Sequence, residues 1–184
     1  MTRQTREQLD RPLTHRDLDD TPEDGNTYEV IDGDLHVTPF PDYRHQEAAT
    51  ELCVQLRNHA QAKGLGKVFA AGLKVVLDEA TGVGPDIVFI SHARMDGMRE
   101  DGYYGAPDLL VEVLSSRPER DRVVKALKYA RAGVPHFWIV DPRARTLRAF
   151  QLEAGHYVLA AEAKDRFEPE LFPGLALDLT ALWI

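Results

Sequence analysis

The chain has 184 residues, 43% of them hydrophobic and 28% charged, which predicts one globular domain at residues 13–184 behind a flexible N-terminus at residues 1–12. The net charge of -8 argues against a protein that coats nucleic acid non-specifically, and no apolar stretch is long enough for a membrane span or a signal peptide. Cys53 is the single cysteine, so no internal disulfide can form, and it is predicted to be a buried thiol. Together these features predict a cytoplasmic protein.

The N-terminal part of the chain predicts a short helix, a hairpin and a long helix. The short helix is amphipathic and covers residues 13–20. An Asp-Gly turn between two β-favouring runs predicts a hairpin of strands 27–31 and 34–38. Apolar residues at helical spacing then predict a helix over about 44–63, which ends at Gly64.

The sequence predicts that the middle of the chain forms strands separated by a loop. Residues 67–77 are rich in β-favouring types, and 84–91 contain the apolar run IVFI, typical of a strand buried on both faces. Residues 92–106 contain glycine and methionine and are predicted to be a loop. Residues 107–115, PDLLVEVLS, form another buried strand with one charge inside it.

The C-terminal part predicts a helix and a meander. The helix covers 117–132 and is closed by Gly133. Strands follow at 136–141, 146–152 and 156–162, and the tail is irregular and then briefly helical. This order predicts an α+β protein with a central mixed sheet flanked by a few helices.

One acid lies in each of two otherwise apolar strands. Glu112 is surrounded by apolar residues, and Asp86 opens the IVFI strand. An ionised carboxylate there is costly unless it is paired or bound to a cation, and Mg²⁺ prefers carboxylate oxygen. Glu112 could instead reach solvent or an arginine at a strand end. Asp108 competes with Asp86 as its partner, but four residues along a strand span about 13 Å, too far for both to hold one ion.

A lysine on the next helix completes this constellation. Nucleases with such an acid pair usually carry a lysine two residues after the glutamate, where this chain has Leu114. On the helix, Asp121, Lys125 and Lys128 share one face. Either Asp121 and Lys125 form an exposed ion pair, or Lys125 extends over the sheet in place of the missing lysine.

The order of motifs YEVIDGDL, HQEAA, GPDIVFIS, PDLLVEVLS and D-x3-K-x3-YARAGVPHFWIVDP resembles the Uma-two family from about Leu13 to Trp183. That bacterial family is placed in the PD-(D/E)XK superfamily and implies a restriction endonuclease-like fold. The positions matching its site are Asp86 and Glu112 as metal acids, Lys125 as the displaced lysine, Glu29 and His45 as further site positions, and Tyr129 as a packing residue.

The resemblance implies an endonuclease that cleaves phosphodiester bonds of nucleic acid, expected to be DNA. Mg²⁺, or Mn²⁺ in its place, would be held by Asp86, Glu112 and the carbonyl of Val113, with Lys125 orienting the attacking water or neutralising developing charge. A homodimer would suit an enzyme that cuts two strands. The alternative is a weak or inactive nuclease-fold module that binds nucleic acid or assembles proteins.

A basic segment follows the glutamate strand. Residues 117–148 hold nine Lys or Arg against three Asp or Glu, a net charge of +6 on an acidic chain. The segment could be a solvated protein face or a surface for the nucleic-acid backbone. In the second case the expected contacts are Arg117, Arg120, Arg122 and Lys128.

Overall fold

A six-stranded mixed sheet, the central sheet, organises the protein. The computed structural model describes residues 11–115 and 120–184, with backbone only at 120–122. The strands of the central sheet, in spatial order, are β12 (His156–Ala163), β11 (Thr146–Glu153), β10 (His136–Asp141), β9 (Leu109–Val113), β6 (Ile87–Ser91) and β3 (Gly66–Ala70). Strands β9 and β10 run parallel, and the other neighbours are antiparallel.

A second sheet, also six-stranded, covers part of the central sheet. Its strands in spatial order are β2 (Asp34–Thr38), β1 (Thr27–Ile31), β5 (Thr81–Val83), β4 (Val75–Asp78), β8 (Gly102–Tyr104) and β7 (Met98–Arg99). A short pair, β13 (Arg166–Phe167) and β14 (Leu177–Asp178), lies in the C-terminal segment, residues 164–184.

Among the residues that the structure describes, two α-helices accompany the sheets: α1 (Tyr43–Lys63) and α2 (Arg120–Ala132). The Asp42 side chain caps α1 by accepting the His45 N–H at 3.0 Å, and Gly64, with φ of 60°, ends it. Short 3-10 helices lie at His15–Asp20, His92–Gly97 and Thr180–Leu182. No helix in the described part of the chain is long and apolar enough to cross a membrane.

Side-chain alternation along the central strands divides the core in two. Ile87 and Phe89 of β6 pack in a cluster with α1 and the C-terminal segment. Val88 and Ile90 pack on the other face, in a cluster with residues of the second sheet and α2. The central sheet is therefore covered on both faces, which explains its continuous apolar runs.

The predicted hairpin and meander are confirmed, and the middle of the chain needs corrections. Residues 67–77 were predicted as one β-rich segment, but β3 and β4 belong to different sheets, and the turn between them includes Gly72 at φ of 102°. Residues 92–106, predicted as loop, contain a 3-10 helix and two short strands of the second sheet. Strand β5 was not predicted, because three residues of TGV carry too little periodicity to indicate one.

The C-terminal segment is part of the core through Phe172. This side chain is fully buried, and its ring centroid lies 4.7 Å from that of Phe89 and 6.2 Å from that of Trp138. We expect Phe172→Ala to lower the free energy of unfolding by about 3–5 kcal/mol, measured by urea denaturation. Leu159→Ala, at a half-exposed position, is the control. Equal costs for both variants would show that the C-terminal segment does not contribute to the core.

Candidate active site

Asp86 and Glu112 meet at the end of the β6–β9 pairing. The antiparallel register pairs Ile87 with Val111 and Val88 with Leu110, and one further step places Asp86 opposite Glu112. Glu112 lies on the β9 face that carries Leu110, towards the second sheet and α2, whereas Asp86 directly precedes β6 and its carboxylate reaches the Val113 N–H and His45 of α1 at the end of the sheet. The two acids were predicted on adjacent strands; Glu112 lies on β9, Asp86 directly precedes the neighbouring β6, and both line one cavity with Lys125. That they share one cation stays a prediction.

The Asp86 carboxylate is held by one donor on each oxygen. Oδ2 accepts the backbone N–H of Val113 at 2.7 Å, and Oδ1 lies 3.0 Å from Nε2 of His45 in the first turn of α1. Burial alone would lower the pKa of His45, but the hydrogen bond and charge of Asp86 outweigh it and raise that pKa. His45 and Val113 therefore fix the carboxylate in one orientation.

The Glu112 carboxylate is held by two residues of α2. Nζ of Lys125 lies 3.1 Å from each of its oxygens, and the Tyr129 hydroxyl donates to Oε1 at 2.6 Å. Tyr129 is fully buried. It was expected to be a packing residue, and its hydroxyl is an additional contact at the site. Its spacing of four residues from Lys125 was the available signal, since positions i and i+4 share a helix face.

Lys125 also joins a third carboxylate to the site. Its ammonium lies 2.9 Å from Oε1 of Glu29 on β1, whose side chain is 4% exposed. The same oxygen accepts the Gly84 N–H at 2.9 Å. Lys125 is thus the inward lysine of α2 and bridges the central sheet to the second sheet.

The protonation of this cluster follows from burial and crowding. Burial, aided by the nearby charges of Asp86 and Glu29, raises the pKa of Glu112 to about 7, although Lys125 and Tyr129 oppose the change. Burial would lower the pKa of Lys125, but Glu112 and Glu29 outweigh it and raise that pKa. These surroundings therefore favour the charged form of Lys125, and they make Glu112 easier to protonate than an exposed carboxyl.

Asp108, the other acid that follows a proline, has a structural position. Its Oδ2 accepts the Ser91 N–H at 2.6 Å, and its Oδ1 lies 3.3 Å from Nε of Arg94. It precedes β9, whereas Glu112 lies near the opposite end of that strand. The structure thus separates Asp108 from the acid pair.

The expected nucleic-acid contacts are only partly described. Lys128 forms an ion pair with Asp32 in the turn of the β1–β2 hairpin, and its side chain is 11% exposed. Arg117 lies outside the described residues, and so do the side chains of Arg120 and Arg122. Their contacts with nucleic acid remain predictions.

The donor set suits a hard cation with few protein ligands. In 11–115 and 120–184, no three His, Cys, Asp or Glu side chains are arranged to hold a metal ion. Two carboxylates and a carbonyl are all oxygen donors, and Mg²⁺ commonly keeps several waters beside one or two carboxylates. Extending the β6–β9 register places Pro85 opposite Val113, and a proline has no N–H to offer the Val113 carbonyl. The residues present therefore fit Mg²⁺ better than Zn²⁺.

Comparisons with known proteins identify the family and the fold. The model of the Uma2 family, described as "Putative restriction endonuclease", matches residues 15–180. A crystal structure of a protein from Anabaena variabilis, described as "a putative nuclease belonging to DUF820", is similar with a TM-score of 0.75 and 20% identity, covering 94% of this chain and 98% of that one. No curated protein matches the chain. The structural likeness confirms the predicted fold.

Proposed function

Because the chain belongs to the Uma2 family, we propose that it is a metal-dependent endonuclease that hydrolyses phosphodiester bonds of DNA, with Asp86, Glu112 and Lys125 as its catalytic groups. One observation carries the proposal. Lys125 reaches from α2 to the acid pair and lies 3.1 Å from both oxygens of Glu112. The lysine and the two acids form one buried polar cluster. Burying charged groups costs free energy, and a protein whose role is only structural has no need of such a cluster.

Each residue of the site would have a separate role in the reaction. Bound by Asp86, Glu112 and the Val113 carbonyl, Mg²⁺ or Mn²⁺ would supply a more acidic water and a Lewis acid for the phosphate. His45 and Val113 hold Asp86 in place. Lys125 would donate to the attacking water or to a phosphate oxygen where negative charge develops.

The nucleic acid would approach along the basic segment. Arg117, Arg120, Arg122 and Lys128 would contact its backbone, which supplies affinity without reading sequence. A second copy of the chain would allow both strands of a duplex to be cut.

A second candidate function has support from the same contacts. Lys125 is paired with both Glu112 and Glu29, so a cation must compete with an ammonium already in place. If no cation displaces the Lys125 ammonium from Glu112, the protein is a nuclease-fold module that binds nucleic acid without significant cleavage.

The test compares two aspartates that each follow a proline. Supercoiled plasmid is incubated with Mg²⁺, Mn²⁺ or EDTA and with wild type, Asp86→Asn or Asp108→Asn. We expect metal-dependent nicking by wild type, a loss of about a hundredfold or more in Asp86→Asn, and retained activity in Asp108→Asn when the fold is intact. Absence of metal-dependent cleavage by wild type, of plasmid and of single-stranded DNA alike, would favour the non-catalytic module. Equal loss in both variants would mean that Asp86 is not specific to the chemistry.

A further inference from the structure

A cleft of about 800 Å³ lies directly beside the acid pair. It shares Asp86 and His45 with a smaller cavity of about 140 Å³ that contains Glu112 and Lys125. Its volume falls within the roughly 300–1,000 Å³ range of small-molecule pockets. A group bound there would lie next to the candidate catalytic centre, at Asp86 and His45.

Phe40 lines this cleft, and its aromatic ring is exposed. Its side chain is 74% exposed. Pro39 and Pro41 on either side restrict the backbone. The ring lies against Gly25, where an added Cβ would come within 2.0 Å of the ring carbon Cζ. The ring therefore presents an exposed aromatic surface on which a flat ligand group can stack.

The lining of the cleft favours a neutral ligand group over a phosphate. Asp19 and Glu23 are acidic, and Lys74, the only lysine or arginine in the described lining, is already paired with Asp19 at 2.8 Å. Neutral polar side chains supply donors and acceptors: Asn26, Thr27, Gln46 and Thr50. A nucleobase has a flat face for Phe40 and polar edges for such side chains.

Cations lie just outside the cleft, at the start of α1. The Arg44 guanidinium lies 5.1 Å from the centroid of the Tyr43 ring, which is 60% exposed. Nη2 of Arg143, from the β10–β11 turn, approaches Asp42 at 3.6 Å. Arg44 can hold a phosphate beside the cleft, whereas Arg143 is paired with Asp42 as Lys74 is with Asp19.

We infer that the cleft receives an unpaired base of the substrate, stacked on Phe40, while the adjoining phosphate lies at Asp86 and Glu112. The inference rests on the proposed function and names its substrate class: single-stranded DNA, or a duplex end or junction with unpaired bases. A base within an intact duplex is stacked and paired and must be extruded before it can enter such a cleft, at a cost of a few kcal/mol.

The test measures binding separately from cleavage. Fluorescence anisotropy is recorded with a labelled single-stranded oligonucleotide, the same sequence as a duplex, and an abasic strand that keeps the phosphates but lacks the bases. Ca²⁺ replaces Mg²⁺ as an oxygen-binding cation during binding. We expect wild type to prefer the single strand over both the duplex and the abasic strand.

Phe40 variants identify the stacking contribution. We expect Phe40→Ala to weaken single-strand binding roughly tenfold and to leave abasic-strand binding unchanged. Phe40→Trp should retain affinity, and Phe40→Leu should not, because leucine is apolar but has no aromatic face. Leu159→Ala, on the edge strand β12, is the matched exposed control and should behave as wild type. Thermal melts establish that each variant is folded.

Tighter binding of the duplex, or equal single-strand affinity of Phe40→Ala and wild type, would overturn the inference. If wild type nicks plasmid but Phe40→Ala binds as wild type, this inference fails and the proposed function stands. If Phe40 controls single-strand binding but no metal supports cleavage, the cleft stands and the proposed function fails. An RNA strand of the same sequence tests whether the sugar matters. Equal RNA and DNA affinity would still support base stacking, and a preference for RNA would overturn the assignment of DNA.

Discussion

Glu112→Gln is expected to raise the free energy of unfolding of the metal-free protein at pH 8 by up to about 3 kcal/mol. The pKa of Glu112 rises in the folded protein from 4.5 to about 7. A carboxyl with a raised pKa adds stability that is fully present below its unfolded pKa and is lost as pH rises through the folded value. The wild type therefore loses this contribution between about pH 4.5 and pH 7, whereas the neutral glutamine does not titrate.

Urea denaturation at pH 5 and pH 8 in EDTA measures this difference. We expect the stability gap between Glu112→Gln and wild type to be small at pH 5 and large at pH 8. Glu162→Gln, at an exposed position of β12, is the control and should change little at either pH. A variant less stable than wild type at pH 8 would mean that Lys125 and Tyr129 stabilise the ionised Glu112 more than burial penalises it.

Lys125→Met should destabilise the metal-free protein at neutral pH by about 3 kcal/mol, because it leaves Glu29 and Glu112 without their cation in a buried setting. Lys128→Met is the matched control on the same helix. Its lysine pairs with Asp32, whose side chain is 59% exposed, so removal should cost less than about 1 kcal/mol. Chemical denaturation of both variants beside wild type measures the two costs.

The same pair of variants separates metal binding from cleavage. In Lys125→Met, metal-dependent stabilisation should survive, because both acids remain and a competing ammonium is gone. Plasmid nicking should fall by about a hundredfold, because the donor to the reacting groups is lost. Lys128→Met should nick at a rate closer to that of wild type. Loss of metal stabilisation in Lys125→Met, or similar nicking by both variants, would contradict the role given to Lys125.

Local sequence patterns predicted the acid pair because an acidic residue in an apolar strand can be recognised from the sequence alone. An acid in each of two apolar strands, separated by a helix-free segment, leaves few ways to satisfy both carboxylates. Helix periodicity placed Lys125 and Lys128 on the same face, and the resemblance indicated Lys125 as the site lysine; its contacts with Glu112 confirm it as the inward residue. The chemical roles of these residues stay predictions until they are tested.

The second sheet could not be predicted by the same reasoning. Strand β4 pairs with β5 and with β8, and such pairings depend on long-range order rather than on local periodicity. Glu29 was named from the resemblance alone, because its place beside Lys125 requires the second sheet to lie over the central one. The hydrogen bond of the Tyr129 hydroxyl was not predicted for a different reason. A tyrosine on an apolar helix face looks the same in sequence whether or not its hydroxyl has a buried partner.

Thermal melts of wild type and Glu112→Gln with and without Mg²⁺ or Mn²⁺, at pH 8 and pH 5.5, test the central claim that Asp86 and Glu112 hold a cation. A ligand that binds only the folded state raises its stability by mass action, and protons compete with the ion for the carboxylates. We expect a metal-dependent rise in Tm for wild type at pH 8, a smaller rise at pH 5.5, and almost none for Glu112→Gln. If wild type shows no shift at millimolar ion, or if Glu112→Gln keeps the full shift, the cation site is not at this acid pair.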